Sequence, residues 1–236
     1  MDKVVIIPTY NERENIKAII EAILSLKEVF HVVIIDDASP DGTAEIVKEL
    51  IPTYRYKLNL IQRSGKLGLG TAYIMGFRWA LERGYRYIFE MDADFSHNPA
   101  DLVRLYDACK NGADVAIGSR YVKGGAVKNW PRTRILLSKG ASWYTRWLLD
   151  MPIMDPTAGF VCYRAHVLKE LDLSNIQFVG YAFQIEMKYA AWKMKFDIQE
   201  VPITFVDRKY GVSKMNKGII REGILGVIKL KNSLLY

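Results

Sequence analysis

The stretch Tyr85-Arg-Tyr-Ile-Phe-Glu-Met-Asp-Ala-Asp-Phe-Ser-His-Asn-Pro99 decides how this 236-residue chain is read. It is a short apolar strand that ends on two carboxylates, Asp92 and Asp94, before Asn98-Pro99 breaks it and opens a helix. Residues two apart along a strand share a side, so the spacing predicts that both carboxylates face one point. Two hard oxygen ligands at the end of a buried strand suit Mg²⁺ or Mn²⁺ held together with substrate phosphates. Such strand ends are where open α/β sheets bind ligands. An isolated Asp-x-Asp is more often a polar turn, so its neighbours decide the matter.

Upstream, Lys3 to Pro8 is a continuous apolar run of the kind buried parallel strands show. Asn11 as N-cap with Glu14 three residues on introduces a helical stripe of Ile16, Ile19, Ile20, Ile23 and Leu24. A second strand, Val32 to Ile35, closes on Asp36-Asp37; Pro40 to Thr43 turns into a helix bearing Ile46, Val47 and Leu50. Leu58 to Gln62 is a third strand, and Gly65 to Gly70 leads into a helix around Tyr73 to Leu81. Downstream come a helix from about Asn98 to Cys109 and a strand from Asp114 to Gly118. The alternation predicts an α/β fold with a mostly parallel sheet and helices on both faces. Beyond Arg120 the pattern becomes a loop rich in Gly, Lys and Pro, then a helix over Thr133 to Leu149. A strand near Phe160 to Tyr163, a helix near Ala182 to Lys195 and a strand near Ile198 to Phe205 follow. Residues 1–217 read as one domain that includes the loop and amphipathic segment near 121–150, with 218–236 a basic, apolar helical segment.

The formal charge is +7, and it is unevenly spread. Arg120 to Arg146 holds seven Lys/Arg and no acid; Phe205 to the end holds seven more against Asp207 and Glu222. Such patches meet phosphates of a nucleotide, a nucleic acid or a lipid headgroup. No apolar run reaches the ~18 residues of a membrane span, and Met1-Asp2-Lys3-Val4 runs straight into a strand, leaving no room for a signal peptide. The two cysteines, Cys109 and Cys162, sit in apolar patterns and read as buried thiols.

A dinucleotide fold needs Gly-x-Gly-x-x-Gly after the first strand, where this chain has Pro8-Thr-Tyr-Asn-Glu12. Ser64-Gly-Lys66 lacks the remaining residues of a P-loop. The glycines of Gly68-Leu-Gly70 are as readily explained by a helix approaching the sheet. Four stretches read together resemble the GT-A glycosyltransferases of family 2: Val4 to Glu12, Val33 to Asp37 with Ser39 to Thr43, Leu67 to Tyr73, and Met91 to Asp94. Further signatures are similar to the dolichyl- or polyprenyl-phosphate mannose synthase branch of that family. They are Gly118 to Tyr121, Asn129-Trp130 before Arg134 and Ser138, Asp155 to Phe160, Gly180 to Glu186, Phe205 to Arg208 and Tyr210 to Lys214.

The resemblance implies a GT-A (Rossmann-like) fold and inverting transfer of mannose from GDP-mannose to dolichyl or polyprenyl phosphate. By it, Pro8, Tyr10, Glu12, Ile35 and Asp37 hold the guanosine half. Asp92, the Ala93 backbone and Asp94 bind the diphosphate and Mg²⁺ or Mn²⁺, with Ser96, where some members carry Gln, as a shorter and weaker metal ligand. Arg120, Arg208 and Lys214 neutralise the phosphates and, with Asp94, act in catalysis, and Arg134 and Ser138 contact the acceptor phosphate. Glu186 either orients the sugar or faces solvent, and His97 reads as a surface group. The acceptor nucleophile is already anionic, so no strong base is required. Trp143 and Trp147 with flanking Arg give 133–149 an interfacial character; packing on the sheet or a partner is the other reading. A peripheral position on the cytoplasmic face of a membrane follows, with or without a separate membrane-anchor subunit. The rivals are a UDP-glucose:polyprenyl-phosphate glucosyltransferase and a phosphate- or nucleic-acid-binding protein. A carboxylate pair at the site opposes nucleic acid, and aromatic stacking motifs for bases are absent.

Overall fold

Strands that are apolar at successive positions need cover on both faces, and amphipathic helices supply it here. The computed structural model describes residues 2–180, 182–208 and 217–232, with backbone alone for 217–222. In chain order the elements are β1 (Lys3–Thr9), α1 (Arg13–Leu24), β2 (His31–Asp36), α2 (Thr43–Leu50), β3 (Leu58–Gln62), α3 (Leu69–Glu82), β4 (Tyr87–Glu90) and α4 (Asp101–Lys110). They continue with β5 (Val115–Ser119), β6 (Ala126–Lys128), α5 (Arg132–Leu149), β7 (Val161–Arg164), α6 (Ala165–Glu170), α7 (Ala182–Lys193), β8 (Ile198–Pro202), β9 (Thr204–Val206) and α8 (Lys217–Lys231). Seven strands form one sheet in the order β3-β2-β1-β4-β7-β5-β8. Only β7 runs against its neighbours, β4 and β5. The sheet is therefore mostly parallel with helices on both faces, as the alternation predicts.

The two faces bury separate cores. One gathers Ile6, Tyr73, Phe77, Tyr163 and Phe183 beneath α3 and α7. The other gathers Ile7, Ile16, Ile20, Phe89 and Leu105 beneath α1 and α4, and includes Cys109 and Cys162. Both cysteines are buried and free.

Two local expectations change. The apolar stretch Ile198 to Phe205 is two strands, not one: β8 stays in the main sheet while β9 leaves it to pair with β6 in a two-stranded ribbon. Asn11 does not cap α1. Its φ is +58°, the left-handed turn that Asn tolerates, and Glu12 occupies the N-cap position instead.

Glycine matters most where α3 meets its neighbours. A Cβ at Gly70 would stand 2.7 Å from the Phe183 ring and 2.8 Å from the Phe178 carbonyl oxygen. At Gly76 it would stand 2.5 Å from Ile6 Cγ2 on β1. Close helix approach is thus a sufficient reason for both. Gly76→Ala should overpack this contact at a cost of about 1–3 kcal/mol, seen as a fall of several degrees in Tm. At Gly140, in α5, a Cβ would point into open space, with nothing within 4 Å. Gly140→Ala should therefore raise stability by about 0.5–1 kcal/mol. Calorimetry on the pair checks the sign difference.

Candidate active site

The strand order reverses direction between β1 and β4: β1 leads outward through β2 to β3, whereas the chain after β4 builds the other half of the sheet. The carboxyl ends of these two strands therefore open a crevice at the switch point. The loops beyond β1 and β2 are tied together there. Asp37 N donates to Thr9 O at 3.0 Å, Glu12 N to Thr43 Oγ1 at 3.0 Å, and Thr9 Oγ1 to Asp36 Oδ1 at 2.9 Å. Non-glycine residues with left-handed backbone follow all three strands: Asn11 (+58°), Ala38 (+53°) and Phe95 (+58°). Such strained positions persist where the surrounding structure fixes them.

The carboxylate pair is organised differently from a simple strand end. β4 stops at Glu90, and Met91 N makes a last bond to Ile6 O at 3.2 Å. Asp92 and Asp94 lie in the bend beyond it, so strand alternation is not what brings them together. The Asp92 side chain is 42% exposed and that of Asp94 only 7%. Asp94 Oδ1 accepts from Ser96 N at 3.0 Å, and Ser96 O accepts from Val206 N at 3.1 Å. The β6–β9 ribbon thereby clamps the loop that carries the acids. Ala93 and Ser96 are buried within this loop.

That same ribbon delivers the cations. Arg208, just past β9, reaches Asp94 Oδ2 at 3.2 Å. Its neighbour Asp207 pairs with Arg134 of α5 at 2.9 Å, and the Arg134 guanidinium lies 3.9 Å from the Trp130 ring centre. Ser138, one turn along α5, bonds the Tyr121 hydroxyl at 2.7 Å. Arg134, Asp207, Arg208 and Asp94 thus form one chain of alternating charge across the mouth of the crevice. Arg120 is turned onto Asp155. It makes a two-pronged pair at 2.7 and 2.6 Å and adds a bond to Thr157 at 2.8 Å. Burial alone would raise the Asp155 carboxyl, but Arg120 holds it below the usual carboxylate range. Lys214 lies outside the described residues.

On the nucleotide side, Asp37 is buried and paired with Arg63, which also donates to Thr71 Oγ1 at 2.7 Å and Gly68 O at 3.1 Å. Tyr10 carries Lys66 Nζ 4.5 Å from its ring centre. Pro8 and Glu12 are half-buried beside it. Ile35 is fully buried in the core among Ile6, Val33 and Tyr73, so its side chain does not line the crevice; the continuous apolar strand that made it conspicuous also buries it.

Two expectations are corrected. His97 is not a surface group: it is buried, its ring stacks on Phe160 at 4.9 Å, and its Nδ1 stands 3.9 Å from Asp92 Oδ2. Burial pushes its pKa down to about 4, leaving the imidazole neutral at physiological pH. Glu186 does not face solvent. It is fully buried and accepts the backbone N–H groups of Gln177 and Phe178 at 3.0 Å each. Sequence reasoning also passed over Arg63 and Asp155. Asp155 stood in a motif already singled out, whereas nothing local marks Arg63 as the partner of a residue on another strand.

Among the described residues no three His, Cys, Asp or Glu side chains gather as a self-sufficient metal site. Two hard carboxylates fit a cation that completes its shell from a diphosphate. The outer face of α5 presents Trp143 and Trp147 in a stacked pair, with ring centres 6.2 Å apart. Leu136, Trp143 and Trp147 are exposed there, and Ile224, Leu225 and Ile228 are exposed on the adjoining α8. No helix among the described residues is long and apolar enough to cross a membrane.

Comparison with known proteins agrees with this architecture. The family model described as glycosyl transferase family 2 matches residues 4–172. A polyprenol monophosphomannose synthase from Mycolicibacterium smegmatis is 49% identical over 94% of this chain and 84% of its own length. Glucosyl-3-phosphoglycerate synthase from Mycobacterium tuberculosis, solved with Mn²⁺, UDP and glucosyl-3-phosphoglycerate, superposes with a TM-score of 0.72 at 17% identity, covering 98% of this chain and 80% of that one. A mannosyltransferase from Pyrobaculum calidifontis with GDP-Man and Mn²⁺ gives a TM-score of 0.59 at 17% identity, over 93% of this chain and 59% of that one. The crevice with its paired acids and converging arginines, and the match over most of the chain, place this protein in glycosyl transferase family 2.

Proposed function

We propose that this enzyme transfers mannose from GDP-mannose to a dolichyl or polyprenyl phosphate with inversion at the anomeric carbon, producing a lipid-linked mannosyl donor. The observation that supports the proposal is the Arg134–Asp207–Arg208–Asp94 chain, which puts two arginines beside the paired carboxylates, as two phosphate-bearing substrates would require. The mannose and the polyprenyl acceptor are supported by the relative at 49% identity. A guanine nucleotide with Mn²⁺ is supported by the mannosyltransferase of similar fold.

In this reading Tyr10, Glu12 and Asp37 hold the guanosine, with backbone contacts at Pro8, and Arg63 fixes the Asp37 carboxylate. Asp92 and Asp94 hold Mg²⁺ or Mn²⁺, Ser96 stands by as a weaker ligand, and the Ala93 backbone meets the diphosphate. When bound, the cation supplies charge neutralisation for the departing nucleoside diphosphate. Arg208 shares that task beside Asp94, and the family resemblance assigns Lys214 to it as well. Arg120, whose charge is matched by Asp155, fixes the loop after α5 in place; Arg134 and Ser138 receive the acceptor phosphate. An acceptor oxygen that is already anionic attacks without a general base, so positioning two anions is the main work of the site. The exposed Trp143 and Trp147, with Lys139 and Arg146 nearby, suit peripheral docking on the cytoplasmic face of a membrane, with room for a separate anchor subunit.

Three outcomes are expected. Asp92→Asn and Asp94→Asn should each remove most transfer while leaving Tm near the wild-type value, and EDTA should abolish turnover that Mg²⁺ or Mn²⁺ restores; full activity in excess chelator would sink the metal assignment. With Mn²⁺ present, GDP and GDP-mannose should raise Tm more than UDP or UDP-glucose do. The reverse order, with UDP-glucose as the better donor, would establish glucosyl transfer instead. Arg208→Ala removes a phosphate-paired cation, a loss of about 2–5 kcal/mol, so radiolabelled mannose transfer to a short soluble polyprenyl phosphate should slow on the order of 10²-fold.

A further inference from the structure

A second set of polar groups lies beneath the metal loop, and the mechanism above makes no use of it. Glu90, the last residue of β4, and Lys188, in α7, are both fully buried. Lys188 Nζ donates to Ala158 O at 2.6 Å, to Gln184 O at 3.0 Å and to Gln184 Oε1 at 3.0 Å, which uses all of its protons. An ammonium group only donates, so it fixes the Gln184 amide with its carbonyl on Lys188 and its NH₂ turned away. That Nε2 is buried and has no hydrogen-bond partner among the described residues, and Gln184 as a whole is only 3% exposed.

The Gln184 NH₂ group and the Asp92 carboxylate both lie around Gly159. A Cβ at this position would stand 3.9 Å from Gln184 Nε2 and equally 3.9 Å from Asp92 Oδ2. The locked amide and the outer carboxylate thus both border the space that a side chain at Gly159 would fill. The same loop is anchored at its start by the Arg120–Asp155 pair and at Ala158 by Lys188. A donor group fixed beside the metal carboxylate, over a floor with no side chain, is suited to a neutral polyhydroxyl group carried on a diphosphate.

We propose that Gln184 reads the sugar of the donor: its Nε2 donates to a hydroxyl of the transferred hexose, and Lys188 is the positioning residue that locks the amide in the donating orientation. This rests on a nucleotide sugar occupying the crevice. A fixed donor distinguishes hexoses because epimers differ in where one hydroxyl points, and a polar group left unpaired by the wrong sugar is costly. The internal competitor is Glu90. Its oxygens are also without hydrogen-bond partners among the described residues, although the Gln184 amide lies close enough to favour its charged form.

Comparing bare nucleotide with nucleotide sugar separates the two roles. Calorimetric affinities for GDP and GDP-mannose, both with Mn²⁺, would be measured on wild type, Gln184→Glu, Gln184→Met and Lys188→Met. Gln184→Glu keeps an acceptor for Lys188 but adds a carboxyl near Glu90, whereas Gln184→Met removes the donor without adding charge; agreement between the two isolates the loss of the donor. GDP affinity should stay within about 2-fold of wild type, while GDP-mannose affinity falls about 10-fold in both Gln184 variants, the scale of one lost hydrogen bond. Lys188→Met should show the same split. Equal losses for both ligands, or no loss for either, would mean that Gln184 serves Glu90 and the fold, and would overturn the proposal. So would a wild type that gains nothing from the sugar. If wild type prefers UDP and UDP-glucose, the donor assignment has failed, and the same comparison with that pair still decides the role of Gln184.

Discussion

Like charge is the constraint on which this structure turns. Asp36, Asp37, Glu90, Asp92 and Asp94 all gather at the carboxyl ends of β2 and β4, on either side of β1, and most are buried. Left alone they would repel one another or take up protons. Each region of negative charge is instead met by a cation from a distant part of the chain. Arg63 covers Asp37 and Arg208 covers Asp94, while burial pushes the Glu90 carboxyl up to about 7 and Lys188 only partly opposes that rise. Asp155, deeper in the same end of the molecule, is matched by Arg120. Asp92 keeps the most exposed carboxylate of the metal loop. The fold holds a cluster of acids ready for a cation and a diphosphate without collapsing around it.

The ribbon of β6 and β9 is the second half of that arrangement. It departs from the sheet, bonds the metal loop through Ser96 O, and carries Asp207 and Arg208 to the crevice mouth. Trp130 and Phe205, 5.2 Å apart between ring centres, fill the space behind it, with Arg120 and Arg134 against their faces. Groups separated by more than 70 positions in sequence, such as Arg134 and Asp207, act together because the ribbon spans them. The amphipathic α5 then extends outward from this wall, its buried side marked by Ser142, Thr145 and Leu149 and its tryptophans turned out. One helix therefore joins the arginine-lined end of the site to an exposed aromatic surface.

Much of this was legible in the chain itself. Continuous apolar runs such as Val4 to Ile7 and Val32 to Ile35 mark buried parallel strands, and the strand-end acids mark the site. What eluded the sequence were pairings that no local pattern encodes. Arg63 and Asp37, or Arg120 and Asp155, meet only once the strands are in register. His97 was misread because a histidine in a turn looks exposed until Phe160 and Phe205 close over it. The carboxylate loop was misread for a related reason: Asp92 and Asp94 alternate as strand residues do, yet the ladder ends at Glu90 and a left-handed Phe95 bends the chain. Ile35 carries a different lesson: its side chain is spent on the core, so any contact with a ligand would have to come from its backbone.

The central claim is that Asp92 and Asp94 share a divalent cation with a nucleoside diphosphate sugar at the β1–β4 crevice. Anomalous diffraction from crystals grown with Mn²⁺ and GDP-mannose tests it most directly. A manganese peak bridging the two carboxylates and the diphosphate, with Arg208 against a phosphate oxygen, is the expected result. A peak elsewhere on the protein, or ordered nucleotide sugar in the crevice with no metal between it and Asp92 and Asp94, would contradict it.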